Sequence, residues 1–280
     1  MRFFPIVQPW LDPKYQLITQ PPPGYDGGDT AQREGSFALC VALLAELGQC
    51  DTLEAMMVSS RYNVVLNLLN DPNHKGFLRR WPDPAYWGGL SDRFSRDQAI
   101  PNVIAMGLSN KKGLKAFFKN HLKRALLFTT NTRNNWAWPP GDPRYDAAAY
   151  KWKIPDLTVL GFWSLYIRAF RAWPLYPLMF LFDLDFVVSA LIKVLSYGKN
   201  PTNNDDINLI NCMFQAEHTM PTPWSKLAKW IYKKRPYPKM LPGQTATNPA
   251  QACLIAYFRG LNPGPKLEEV YEPLTKHYFE

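Results

Sequence analysis

The sequence predicts an all-α fold of stacked helical hairpins, and three observations predict it. Apolar residues recur at three- and four-residue steps in segment after segment, as in Phe37, Val41, Leu44 and Leu47, or Ile100, Val103, Ile104 and Leu108; this is the period of one helix face. Almost nothing alternates with period two over a useful length, so a sheet has no material beyond a minor strand or two in the loops. Polar clusters that start helices stand near residues 29, 95, 156, 204 and 248, and each interval between them is the size of one helical hairpin.

The elements follow in order. Residues 1–25 carry Pro5, Pro9, Pro13 and Pro21-Pro22-Pro23, which predicts an extended strap. A single helical domain over 26–265 follows it, and residues 266–280 form a last helix or tail. Asp29-Thr30 announces the first long helix and Gly48 ends it. The second runs from about Thr52 to Leu69, stopped by Asn70-Asp71-Pro72. After a Pro-, Gly- and Trp-rich loop over 72–92, a third helix opens near Ser95, with Pro101 accepted in its first turns. A return helix spans about Lys112 to Phe128. Residues 129–153 are irregular and aromatic. A fifth helix runs from Pro155-Asp156 to Phe170, and Pro174 and Pro177 force a break before an apolar helix ending at Gly198. Asn204-Asp205-Asp206 caps the next, Pro223 opens a short basic helix to Lys234, and Thr247-Asn248-Pro249 starts another.

Composition bounds the class. With 46% hydrophobic and 20% charged residues, the chain is neither disordered nor short of core. Cys40, Cys50, Cys212 and Cys253 form no CxxC pair, so neither a zinc ribbon nor a disulfide scaffold is expected. The run from Met1 to Trp10 is too short and too interrupted by Pro5 for a signal peptide, which makes a reduced, cytoplasmic protein the expectation. The strongest membrane candidate is Trp173 to Val194, but Asp183 and Asp185 interrupt it. Two carboxylates near a bilayer centre each cost about 2.5–3.5 kcal/mol on the insertion scale, so no transmembrane segment is expected and a buried core helix is. The net charge of +9 is spread over two helical sets, Lys111-Lys112 with Lys115, Lys119, Lys123 and Arg124, and Lys226, Lys229 and Lys233-Lys234-Arg235. Such a field favours nucleic acid, anionic lipid or a polyanionic glycan as partner, although each set also reads as an ordinary solvated helix face.

Catalytic classes thin out in the same way. No GxSxG elbow, HExxH pair or Walker lysine is present, which argues against serine, zinc and nucleotide chemistry. Asp183-Leu-Asp185 and Asn204-Asp205-Asp206-Ile-Asn208 are oxygen-rich, but the EF-hand glycine and glutamate are missing; no metal and no cofactor is expected. Asp183 and Asp185 inside an apolar helix each demand a partner, and Arg33, Arg96 or Arg168 is available to supply it.

The remaining candidates are polar helix starts. If hairpins stack side by side, alternate helices run parallel, and Asp26, Asp29, Gln32, Arg33, Arg96, Asp97, Gln98 and Asp156 gather at one end. Capping alone accounts for Asp29, Ser95 and Asp205, but not for Gln32-Arg33 or Arg96-Asp97-Gln98 beyond the cap. Trp81 and Trp87 precede the Ser95 helix, and Trp136 and Trp138 precede the Asp156 helix. Flat aromatic faces beside carboxylates and amides suit a saccharide groove; packing of long loops onto the helical body is the alternative. In organisation, over roughly residues 25–260, the chain resembles the α/α-toroid enzymes that process glycans, the polysaccharide lyases and glycoside hydrolases. That resemblance implies hydrolysis or β-elimination of a polysaccharide, with Asp26, Asp29, Asp97 and Asp156 as acid–base candidates and Gln32, Arg33, Arg96, Gln98 and the four tryptophans as substrate contacts. Inverting hydrolysis needs two carboxyls about 6.5–9.5 Å apart; elimination needs Arg, Asn or Gln on a uronate carboxylate. A non-catalytic helical structural or interaction protein and a nucleic-acid-binding protein are the alternatives.

Overall fold

The computed structural model describes residues 7–8, 11–19, 30–46, 48, 50–70, 78–83, 96–126, 159–184, 187 and 220–234. Among these the chain is mostly helical, and its only β pairing is two isolated bridges, Leu11 with Ile18 and Asn70 with Leu78. The all-α expectation holds for the described residues. The helices are α1 (Thr30–Glu46), α2 (Thr52–Leu69), α3 (Arg96–Ser109), α4 (Lys111–Leu126), α5 (Val159–Phe170), the short α6 (Met179–Phe182) and α7 (Pro223–Lys234), with a 3₁₀ turn over Trp173–Leu178.

Helix α1 is the centre of the fold. Every residue from Thr30 to Val41 is buried, which a helix achieves only when neighbours cover it all round. Its small residues make this feasible. A Cβ on Gly35 would meet Asn102 of α3 at 2.8 Å, so the two helices touch almost backbone to backbone. Helix α1 packs on α2 and α3, and α3 in turn on α4 and α5. A second close approach lies at Gly107 of α3, where an added Cβ would stand 2.7 Å from the Ala169 carbonyl of α5. Phe118 of α4 bridges to Tyr166 and Phe170 of α5, with ring centroids 4.9 and 5.6 Å away.

The local chemistry sets the helix ends. Gly48, at φ +69°, closes the end of α1, its N–H on the Ala45 carbonyl, a left-handed position suited to glycine. Asp51 caps α2, accepting from the N–H groups of Leu53 and Glu54 at 2.7 and 3.2 Å. Asn110 both ends α3 and caps α4, donating its N–H to Met106 and accepting from Gly113 N–H at 2.8 Å. Pro101 lies beyond the first turn of α3, so the Asp97 carbonyl loses its intrahelical donor. Thr222 and Ser225 open α7 as a reciprocal capping pair, each hydroxyl accepting the other's backbone N–H at 3.2 and 2.9 Å.

Two expectations are corrected. The described part of the N-terminal strap is not extended: Asp12 folds 11–18 into a turn, its carboxylate accepting from Lys14, Tyr15 and Leu17 N–H groups at 2.8–3.0 Å. An aspartate that satisfies backbone donors in this way outcompetes the extended chain. After α5 the break expected at Pro174 and Pro177 is present, but the described start of the apolar stretch, 173–182, is not a buried core helix; its continuation to Gly198 lies outside the described residues apart from 183–184 and 187. The two prolines hold Trp173–Leu178 as a 3₁₀ turn with no buried residue, and only Met179 is buried in α6.

Candidate functional site

The predicted site residues fall into three groups. Gln32 and Arg33 lie in the first turn of α1 and are buried, because α1 is enclosed on all sides; their burial favours interior contacts over a solvent-open mouth. Trp81 is also buried and meets Tyr15 edge-on, centroids 5.5 Å apart, so it pins residues 78–83 onto the Asp12 turn. Arg96, Asp97 and Gln98 form the first turn of α3, and only their backbone is described. Asp26, Asp29, Asp156, Trp87, Trp136 and Trp138 lie outside the described residues. Among the described residues no His, Cys, Asp and Glu group is placed to hold a metal.

Two buried ionic networks dominate the described interior. In the first, Glu34 of α1 accepts Ile18 N–H and an Arg61 Nη2 proton, both at 2.7 Å, while Arg61 also pairs with the second carboxylate oxygen and donates to the Gln16 carbonyl at 2.9 Å. Burial opposes the charge on Arg61, but the adjacent Glu34 carboxylate outweighs it and holds the guanidinium more firmly protonated than usual. Next to it, Tyr62 donates to Asn102 Oδ1 at 2.5 Å, and Asn102 Nδ2 donates to the Ala31 carbonyl at 2.7 Å. Burial first, and Glu34 second, push the Tyr62 hydroxyl well above its usual range. This network joins the N-terminal turn, α1, α2 and α3.

The second network answers the question posed by Asp183. Its partner is Arg168, one of three arginines the sequence offers. The guanidinium donates in a fork to both carboxylate oxygens, at 2.6 and 2.7 Å, with both side chains fully buried. Arg168 also reaches the Met220 carbonyl at 3.1 Å. Ser164 donates to Oδ1 at 2.9 Å and the Thr222 hydroxyl donates to Oδ2. One carboxylate therefore ties α5, the end of α6 and the cap of α7 together. Glu34, Arg61, Asn102 and Thr222 were missed in the sequence because nothing local separates a buried network partner from an ordinary polar residue.

On the outside, two features stand out. A cleft of about 260 Å³ opens between α2, α3 and α4, with Asn67, Asn70, Asn110 and Lys112 over an apolar floor of Leu66, Leu78 and Met106. Asn110 Nδ2 also donates to Asn63 at 2.9 Å. The second is an aromatic, apolar face on the 3₁₀ turn, α6 and α7. Trp173, Phe180 and Trp230 are 57%, 57% and 59% exposed, and Leu175, Leu178, Leu181 and Leu227 are exposed beside them. The two segments are one surface: Phe180 packs on Trp224 at 5.1 Å, and the Tyr176 hydroxyl donates to the Pro221 carbonyl. Contiguous exposed apolar surface on this scale marks an interaction site more often than a resting surface. No helix among the described residues is long and apolar enough to cross a membrane. No protein-family model, curated protein or solved structure matches the chain.

Proposed function

We propose that this chain is a non-catalytic helical interaction protein that works through the aromatic face of the 3₁₀ turn, α6 and α7. One contrast carries the reading. Among the described residues the most deeply buried carboxylates, Glu34 and Asp183, are consumed in cross-linking the fold, whereas bulky Trp, Phe and Leu side chains face outward. Charges held in such locks hold elements together and have no spare valence for substrate. The test is a Trp173→Ser/Phe180→Ser/Trp230→Ser variant followed by urea unfolding. Side chains that face solvent contribute little to stability, so the midpoint is expected to stay close to that of the parent, within about 0.5 kcal/mol per site. A loss of several kcal/mol means that the chain's own body covers these residues, and the reading fails.

A second reading, a carbohydrate-active protein, is favoured by the cleft between α2, α3 and α4. Three amides and an ammonium over an apolar floor offer donors and acceptors to hydroxyls and a counter-charge to a uronate. Titration with uronic-acid and neutral oligosaccharides, against an Asn67→Ala/Lys112→Ala control, tests it. Binding that survives the double change removes this cleft from consideration.

A further inference from the structure

We infer that the occupant of the aromatic face is the interface of an anionic lipid bilayer, bound peripherally; this rests on the interaction reading above and supplies its partner. Trp173, Leu175 and Leu178 project from a turn stiffened by Pro174 and Pro177, and Phe180 and Leu181 from α6, which follows it directly. A rigid, proline-held turn bearing Trp and Leu loses little conformational entropy when it enters the headgroup region, and indole rings favour that depth. The Phe180–Trp224 contact sets α7 alongside it. On α7, Leu227 and Trp230 are both exposed and three residues apart, hence on one face.

Charge points to the same partner. From 218 to 267 the sequence contains no Asp or Glu, while it carries Lys226, Lys229, Lys233, Lys234, Arg235, Lys239, Arg259 and Lys266. Between Asp156 and Asp183 the only charged residues are Arg168 and Arg171. Arg168 and Asp183 neutralise one another in the interior. Helix α7 therefore carries Lys226, Lys229, Lys233 and Lys234 and no acid in its length beside the apolar side chains of the face, while Glu46, the acid next to the turn, is paired with Arg171. An acid-free basic helix beside an apolar surface is the complement of an anionic leaflet. Nucleic acid would reward the lysines and stack on the tryptophans, but it offers nothing to exposed Leu175, Leu178 and Leu181. The other exposed apolar stripe, Leu53, Met56, Met57 and Val64 on α2, is bordered by the acids Asp51 and Glu54, which oppose an anionic leaflet, while Arg61 is taken up by Glu34.

The experiment is co-sedimentation of the full chain with vesicles of phosphatidylcholine containing phosphatidylglycerol, against phosphatidylcholine alone, with tryptophan quenching by bromine-labelled acyl chains. Binding to the anionic vesicles is expected, weakened by added salt, with quenching that places indoles at the acyl boundary. Trp173→Ser/Trp230→Ser is expected to weaken partitioning about tenfold or more, as is Lys226→Glu/Lys229→Glu, which leaves the apolar surface intact. Equal binding to both vesicle types, no binding, or binding indifferent to both variants overturns the proposal. So does dimerisation through this face that persists when anionic vesicles are added, or tryptophan-dependent binding of single-stranded DNA in place of vesicles. Failure here with the serine variants still stably folded leaves the interaction reading standing; destabilised serine variants remove both. The unmodified chain with quenching lipid keeps the test informative whichever variants fold.

Discussion

The Arg168–Asp183 pair is the sharpest place to test the fold. Asp183→Ala removes a carboxylate that accepts two guanidinium hydrogen bonds, one from Ser164 and one from Thr222. It leaves a fully buried guanidinium without its counter-charge. Removing one member of a buried pair costs about 3–5 kcal/mol, and each orphaned hydroxyl adds up to about 1–3 kcal/mol unless it finds another acceptor. Against a total stability of about 5–15 kcal/mol, this consumes about a fifth or more. Arg168→Met on the Asp183→Ala background deletes the orphaned charge and is expected to restore roughly half of the loss, since replacing a whole buried pair by apolar groups is close to neutral. Urea denaturation followed by circular dichroism gives the four corners of the cycle. Hydrogen exchange adds a local readout: because Thr222 caps α7, amides of Pro223–Lys234 are expected to lose protection first. A single-variant cost below about 1 kcal/mol, or a double variant that simply sums the two singles, refutes the lock.

Four further predictions follow from single positions. Gly107→Ala forces a Cβ to 2.7 Å from the Ala169 carbonyl and is expected to cost about 1–3 kcal/mol as overpacking, measured by urea midpoint. Arg171 stands at φ 51° just past α5, with Ala172 N–H on the Ile167 carbonyl and its own N–H on Arg168, the Schellman pattern. Arg171→Gly is expected to raise stability by about 1 kcal/mol, because the left-handed penalty exceeds the worth of the exposed Arg171–Glu46 pair; a drop contradicts it. The Tyr62 hydroxyl is raised in the folded state, so the folded chain holds a proton that the unfolded chain releases above pH 10. Stability is then full below that pH and falls as pH rises, a slope that Tyr62→Phe is expected to remove along with the Asn102 hydrogen bond. Burial, reinforced by Glu54, lifts the Cys50 thiol to about 11, so peptide-resolved alkylation at Cys50 is expected to be slow at neutral pH and to accelerate until about that value.

How much of this was legible beforehand depended on the range of the physics. Helix identity and several ends are local: Asn70 stopping α2, Gly48 closing α1 and Pro223 opening α7 follow from dihedral and capping preferences within a few residues. The buried charge at Asp183 was legible as a demand, since an ionised carboxylate in an apolar run requires a cation. Which of three arginines met it was not, because the answer depends on elements 15 residues apart meeting in space. The candidate site shows the same divide. Gln32 and Arg33 read as part of a polar cluster gathered at one end of the hairpins; they are buried because Gly35 and its small neighbours let other helices close around α1. The Trp173–Val194 run read as a buried core helix, yet its described start faces outward, since hydropathy alone does not distinguish a chain buried in protein from one facing outward. Sequence determined which segments coil and which charges need partners, since backbone preference and desolvation act residue by residue. Only the packed structure decided which polar groups became locks and which apolar side chains were left outside, because burial belongs to the whole arrangement and not to any one segment of it.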